Sequence, residues 1–126
     1  MKLVIADDSS MIRERIKNQA GQFDDVTVVG EAGNGKAALE MIIDLDPDLV
    51  FLDLQMPEMG GIEVLRKIKA AKVKTKVCIL TNYSFPQYRT RCLEIGADFF
   101  LSKSDDFEKT TTVIANILTL INPLKI

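Results

Sequence analysis

The stretch DPDLVFLDLQMP, residues 46–57, contains an unbroken apolar run from Leu49 to Leu52. Because a half-exposed strand alternates apolar and polar side chains, a run without alternation is typical of a central parallel strand that is covered on both faces. Asp53 follows at the carboxyl end of this run, and Pro57 then turns the chain outward. The stretch therefore predicts a buried strand that ends in an exposed carboxylate.

Similar apolar runs recur along the chain and alternate with helical patterns. Strands are predicted at residues 2–6, 26–29, 49–53, 76–80 and 98–101. An amphipathic pattern follows each of them, at residues 11–20, 37–45, 62–71, 86–95 and 107–120. Ser9 and Ser10 are candidate caps of the first helix, and Asp105 with Glu108 three residues later predicts the start of the last one. This alternation predicts an α/β fold with a five-stranded parallel sheet and helices on both faces.

The composition predicts one cytoplasmic domain and argues against several functions. The sequence has 16 basic and 18 acidic residues, and its net charge of −2 argues against nucleic-acid binding by this domain. No apolar segment reaches the roughly 18 residues that a membrane span needs. Cys78 and Cys92 lack metal or disulfide spacing and are expected to be buried thiols in a reducing cytosol. We expect a single domain over residues 1–122, with residues 123–126 as a tail or the start of a linker.

Several chemically active side chains are predicted at the carboxyl ends of the strands. The residues at these ends are Asp7, Asp8, Gly30, Asp53, Thr81 and Lys103. In parallel sheets ligands bind beyond the carboxyl ends of the strands, so we expect these residues to converge on one edge. Two carboxylates about 4 Å apart repel by roughly 4 kcal/mol at an effective dielectric constant near 20. A divalent cation would relieve this repulsion, and oxygen ligands without histidine or cysteine suit magnesium.

Such a set of residues fits phosphoryl-transfer chemistry. A carboxylate can attack a phosphoryl group to form an aspartyl phosphate, and Asp53 fits the nucleophile. Lys103 would stabilise the charge on the transferred oxygens together with the metal. The hydroxyl of Thr81 could hydrogen-bond a phosphoryl oxygen once it is installed.

The same residues carry a resemblance to a known family. The matching segments are VIADDS at residues 4–9, PDLVFLDLQMP at 47–57, LT at 80–81 and GADFFLSK at 96–103. Over nearly its whole length, the chain resembles the receiver domains of two-component response regulators. The resemblance implies a flavodoxin-like fold, with sheet order 2-1-3-4-5, and a role in phosphorelay signal transduction.

The resemblance also implies roles for single residues. Asp53 would take a phosphoryl group from a histidine kinase or a phosphotransfer protein. Magnesium, with manganese as a substitute, would be held by Asp8, Asp53 and the backbone carbonyl of Gln55, while Asp7 would act through water.

The family pattern further implies a switch that binds partners. Thr81 and Phe100 would form the switch pair, in which the hydroxyl moves to the phosphoryl group and the ring turns inward. The movement would reshape the face made by the fourth helix, fifth strand and fifth helix, where a target protein, an output domain or a second copy of the chain would bind. Asn82 and Tyr83 depart from the small residue usual after the threonine, so we expect them to narrow access to Asp53 and alter the lifetime of its phosphorylation.

Two other functions fit parts of the sequence. Residues 30–36, GEAGNGK, have the Gly-x-x-x-x-Gly-Lys spacing of a phosphate-binding loop, which would make the chain a nucleotide hydrolase. Against this hypothesis, Ala37 stands where the motif needs Ser or Thr, and Glu31 would put a negative charge inside the phosphate cradle. A non-phosphorylated interaction module with a vestigial pocket would explain the fold, but not the complete set of acids, threonine and lysine.

Overall fold

Five strands alternate with five α-helices in the computed structural model, which describes residues 1–123. The strands are β1 (Lys2–Ala6), β2 (Thr27–Ala32), β3 (Leu49–Leu52), β4 (Lys76–Thr81) and β5 (Phe99–Ser102). The helices are α1 (Ser10–Ala20), α2 (Gly35–Leu45), α3 (Gly61–Ala70), α4 (Pro86–Ile95) and α5 (Thr110–Ile121). Within residues 1–123, every helix is too short or too polar to span a lipid bilayer. The expected tail at 123–126 lies outside the described residues except for Pro123.

All five strands are parallel and lie in the order β2-β1-β3-β4-β5. This order confirms the predicted flavodoxin-like sheet. Because the strands run in one direction, their carboxyl ends meet at a single edge, which carries the predicted functional residues.

The two faces of the sheet are covered by separate apolar clusters. Val50 and Leu52 of β3 pack on the side of α2, α3 and α4, whereas Leu49 and Phe51 pack on the side of α1 and α5. All four side chains are at most 1% exposed. Burying a side chain of this size contributes roughly 1.5–3 kcal/mol, so both faces of β3 stabilise its position. The prediction of a central strand that is covered on both sides is confirmed.

Helix ends near the functional edge have identifiable caps. The Ser9 hydroxyl accepts a hydrogen bond from the N–H of Ile12 and caps α1, as predicted. Asn34 caps α2 in the same way, through the N–H of Ala37. Both caps place the first turn of a helix directly behind a loop at the carboxyl edge of the sheet.

The loop after β3 returns closely to the sheet because Gly61 has no side chain. A Cβ at Gly61 would overlap the carbonyl group of Asp53. The N–H of Gly61 also donates to the carbonyl of Leu54 at 2.8 Å, where α3 begins. The first turn of α3 therefore packs against the backbone segment that carries Asp53.

The second strand is longer than the sequence predicts. It continues to Ala32, because residues 30–32 pair with residues 4–6 of β1. Gly30 therefore lies inside β2, and its predicted position at a strand end is wrong. The parallel partner strand supplies the hydrogen bonds that carry the strand through this glycine.

The last helix begins later than the sequence predicts. A 3-10 turn at Phe107–Lys109 precedes α5, which starts at Thr110. In the segment between β5 and this turn, the carboxylate of Asp106 accepts a hydrogen bond from the N–H of Ser102 at 3.0 Å. The predicted helix start at Asp105 is therefore wrong, and the carboxylate of Asp106 closes the turn after β5 instead.

Candidate functional site

Backbone hydrogen bonds place the functional residues at the carboxyl edge of the sheet. The N–H groups of Asp7, Asp53 and Lys103 donate across to the last residues of neighbouring strands, at 2.9, 3.0 and 2.9 Å respectively. The acceptors are the carbonyls of Ala32, Ala6 and Thr81. The ladder thus continues one residue beyond each strand and orders the residues that follow β1, β3 and β5.

An ammonium group bridges two carboxylates at the centre of this edge. Lys103 Nζ lies 2.7 Å from Asp7 Oδ2 and 3.0 Å from Asp53 Oδ2. The three side chains are between 2% and 8% exposed. The prediction that Asp53 is an exposed acid is wrong, because the ion pair draws its carboxylate into the edge of the core.

Burial and charge act in opposite directions on these groups. Burial raises the pKa of Asp7, and the opposing hydrogen bond from Lys103 does not cancel this effect. Burial by itself would lower the pKa of Lys103, but the hydrogen bond to Asp7 and the charge of Asp53 outweigh it and raise that pKa. The lysine is therefore an ammonium at neutral pH and partly neutralises the acids around it.

A third acid completes the cluster. One carboxylate oxygen from each of Asp7, Asp8 and Asp53 lies within 4.8 Å of the other two. Asp8 is the exposed member. Gln55 is also exposed, and its N–H makes a long hydrogen bond of 3.4 Å to Asp53 Oδ1. The structure therefore brings the predicted acids and Lys103 together, with Gln55 beside them.

An open pocket leads to this cluster. Its volume is about 600 Å³, and Asp8, Asp53, Gln55 and Lys103 contribute to its lining. Tyr83 also lines it, together with its neighbour Asn82. The structure thus places these two residues at the entrance to Asp53, where the sequence predicts them to affect access.

The two predicted switch residues are both buried. Thr81 is 0% exposed, and its Oγ1 accepts a hydrogen bond from the N–H of Tyr83 at 3.1 Å. Phe100 is 6% exposed, with the guanidinium carbon of Arg89 at 5.9 Å from its ring centroid. The aromatic ring is therefore already packed inside the fold in this structure.

The glycine-rich segment does not form a phosphate-binding loop. Residues 30–32 lie in β2 and Gly35 is the first residue of α2, so only residues 33 and 34 connect the two elements. Glu31 pairs with Arg13 at 3.1 Å and with Lys17 at 3.0 Å. A carboxylate held by two cations on the neighbouring helix belongs to a structural ion-pair network, which removes the main support for a nucleotide hydrolase.

Sequence reasoning missed one residue near the cluster. Arg13 Nη1 donates to the backbone carbonyl of Asp7 at 2.8 Å. Its position one turn into α1, five residues after Asp8, was a usable signal. The contact itself depends on how α1 packs against the end of β1.

The fold and the pocket together define a receiver-type domain: a five-stranded parallel sheet with a lysine and three acids at its carboxyl edge. A family model described as the response regulator receiver domain matches residues 3–115. The chain belongs to this family.

Relatives of known sequence agree with this assignment. The transcriptional regulatory protein YdfI of Bacillus subtilis is 38% identical over 107 residues, which are 85% of this chain and 50% of the relative. The nitrate/nitrite response regulator protein NarL of Escherichia coli is 36% identical over 101 residues, 80% of this chain and 47% of the relative. The chain therefore spans about half the length of these relatives.

Solved structures of receiver domains match the fold closely. The response regulator domain of Thermotoga maritima CheB has a TM-score of 0.84 at 28% identity, covering 97% of this chain and 96% of that one. A DNA-binding response regulator of the LuxR family from Staphylococcus aureus has a TM-score of 0.85 at 28% identity, covering 92% and 97%. The chain is thus similar in fold to response regulator structures from two different bacteria.

Proposed function

We propose that Asp53 accepts a phosphoryl group from a histidine kinase or a phosphotransfer protein in a magnesium-dependent reaction. The observation that carries the proposal is the Lys103 ammonium held between Asp7 and Asp53 beside an open pocket, at 2.7 and 3.0 Å. Asp53 is a suitable nucleophile because its carboxylate lines that pocket. The domain that performs this function is proposed to comprise residues 1–122.

The residues around Asp53 fit a magnesium ion. Three carboxylates supply oxygen ligands within 4.8 Å of one another, and hard divalent cations prefer oxygen ligands. Asp8, Asp53 and the backbone carbonyl of Gln55 would hold the ion, with Asp7 contributing through water. When bound, the ion would neutralise charge on the oxygens of the transferred group.

The transfer itself needs two bonds to change. One oxygen of the Asp53 carboxylate bonds to phosphorus, while the bond from phosphorus to the donor histidine nitrogen breaks. The electron pair of the broken bond stays on the imidazole. Lys103 already contacts Asp53, so its ammonium can stabilise the negative charge on the phosphoryl oxygens by moving only locally.

Thr81 would respond to the modification. Its hydroxyl oxygen accepts the N–H of Tyr83, which leaves the hydroxyl hydrogen available to a phosphoryl oxygen. A shift of Thr81 would act on Tyr83, whose ring meets that of Tyr88 edge to face at 6.2 Å. Phosphorylation would in this way reach α4, and with Phe100 it would alter the surface made by α4, β5 and α5.

This surface is proposed to bind the partners of the domain. The candidates are a downstream target protein, an output domain elsewhere in a longer chain, and a second copy of the domain. The relative from Staphylococcus aureus is described as a DNA-binding regulator of the LuxR family. By analogy, any DNA contact would be made by an output domain, since this chain has a net charge of −2.

The proposal is tested by incubating the protein with magnesium and a small phosphodonor such as acetyl phosphate. Intact-mass and peptide measurements should find one added phosphate on Asp53, and none in the presence of EDTA. Asp53→Asn should abolish the adduct. Asp105→Asn, which removes an exposed acid outside the pocket lining, should leave it unchanged. An unmodified wild-type protein, with this donor and with histidine kinases, would favour the non-phosphorylated interaction module instead.

A further inference from the structure

The exposed acid of the cluster lacks side-chain support. Among residues 1–123, no hydrogen bond or ion pair is made to the carboxylate of Asp8. Asp7 differs, because its carboxylate accepts from the N–H of Ser9 at 2.9 Å and contacts Lys103 at 2.7 Å. The direction in which Asp8 projects is therefore set by its backbone alone.

Two side chains restrain that backbone: the Asp7 carboxylate spans Asp8 to the N–H of Ser9, and Arg13 contacts the peptide unit itself. The Asp7 carbonyl that accepts from Arg13 Nη1 at 2.8 Å belongs to the peptide unit joining Asp7 to Asp8. A peptide unit is planar, so holding its oxygen also orients the bond to the Cα of Asp8. The N–H of Asp7 is held separately by the carbonyl of Ala32 at 2.9 Å. Arg13 thus provides the contact from another secondary-structure element that holds the peptide between Asp7 and Asp8.

Arg13 is itself held in place by the neighbouring strand. Its Nε donates to Glu31 Oε1 at 3.1 Å, while Lys17 occupies the other oxygen of Glu31 at 3.0 Å. The arginine side chain is 22% exposed. A guanidinium presents its donors in a rigid fork, so one group can bind Glu31 and the Asp7 carbonyl together. A lysine has one nitrogen and cannot reproduce this geometry.

We propose that Arg13 is a positioning residue for the magnesium site, which orients Asp8 through the peptide between Asp7 and Asp8. The inference rests on the proposed function, because it takes Asp8 as a ligand of the metal. A positioning role predicts a change in magnesium affinity, on removal of Arg13, that is opposite in sign to the change predicted by simple electrostatics. A nearby positive charge repels a cation, so removing Arg13 as a mere charge would strengthen magnesium binding. Loss of the positioning contact would instead weaken magnesium binding.

The test is a calorimetric titration of the metal-free protein with magnesium chloride. Arg13→Met, which keeps an apolar stem, should raise the dissociation constant by about tenfold, a typical result for residues that orient metal ligands. Arg13→Lys should also raise it, because the charge remains but the fork is lost. Lys17→Met is the matched control, since Lys17 binds the same Glu31 carboxylate without contacting Asp7, and it should bind magnesium like the wild type.

A second readout separates positioning from general damage. Urea unfolding in EDTA should show that the variants are folded, and the rate of Asp53 phosphorylation should approach that of the wild type at saturating magnesium. Should Arg13→Met fail to fold, Arg13→Lys carries the test. Unchanged or tighter magnesium binding in the folded Arg13 variants would overturn this inference alone. Absence of magnesium binding by the wild type would instead overturn the proposed function.

Discussion

Replacing Lys103 by Met should destabilise the metal-free protein and at the same time strengthen its binding of magnesium. The lysine is the cation shared by Asp7 and Asp53, at 2.7 and 3.0 Å, and all three side chains are at most 8% exposed. Methionine has a similar length, so the substitution removes the charge and little packing. Two nearly buried carboxylates would then face each other without a bridging ammonium.

The size of the effect follows from this geometry. Leaving one partner of a buried ion pair uncompensated costs about 3–5 kcal/mol, and the lower end applies because the pocket admits water. We therefore expect the free energy of unfolding in EDTA to fall by about 3 kcal/mol. In excess magnesium, the positive charge of the bound ion would offset part of the repulsion between the acids, and about 2 kcal/mol of this loss should be recovered. By linkage, that recovery corresponds to roughly thirtyfold tighter magnesium binding.

The assay is urea unfolding followed by circular dichroism, with EDTA and with saturating magnesium, combined with calorimetric titration of magnesium. Lys36→Met is the matched control, because Lys36 is exposed on α2 and should give no difference in either condition. The reasoning is refuted if Lys103→Met is as stable as the wild type in EDTA, or if magnesium binds to it more weakly.

Three further outcomes follow from the same structure. Burial raises the pKa of Asp7, so its ionised form destabilises the fold. Asp7→Asn should therefore stabilise the metal-free protein at pH 7, and this gain should vanish as the pH falls below 3.8, the ordinary pKa of an aspartate side chain. Thermal unfolding at a series of pH values measures both effects. Gly61→Ala should lower the free energy of unfolding by about 1–3 kcal/mol and slow the phosphorylation of Asp53, because the added methyl group overlaps the Asp53 carbonyl. Urea unfolding measures the first effect and intact-mass kinetics the second. A variant with unchanged stability and phosphorylation rate would contradict the close packing. In hydrogen–deuterium exchange followed by mass spectrometry, the amide hydrogens of α4 should exchange faster than those of α3, because α4 buries one residue and α3 buries four. Equal protection of the two helices would show that burial does not set local stability here.

The sequence was sufficient for the parts of the fold that depend on local patterns. The unbroken apolar run of β3 predicted a strand covered on both faces, and the strand ends predicted that Asp7, Asp53 and Lys103 meet. Both results follow from parallel topology, in which the residue after each strand reaches the same edge. The roles of the site residues in phosphoryl transfer remain predictions until phosphorylation is measured.

Features that depend on contacts between distant elements were not accessible in this way. The extension of β2 through Gly30 arises from pairing with β1, and the late start of α5 arises from the hydrogen bond between Asp106 and Ser102. The burial of Asp53 also depends on where Lys103 places its ammonium. Arg13 could be seen as a charge on α1, but its two partners lie on different strand ends and become neighbours only after folding.

The distribution of burial indicates where this domain can change conformation at the lowest cost. Phe100 is 6% exposed, so its ring already packs inside the fold. The segment from Asn82 to Arg91 is exposed throughout, and α4 buries only Cys92. Segments with few buried contacts open with less free energy than a fully covered strand such as β3. We therefore expect a response of the proposed switch to include a rearrangement of α4. Arg89, which donates to the Phe100 carbonyl at 3.2 Å, is the contact that must adjust.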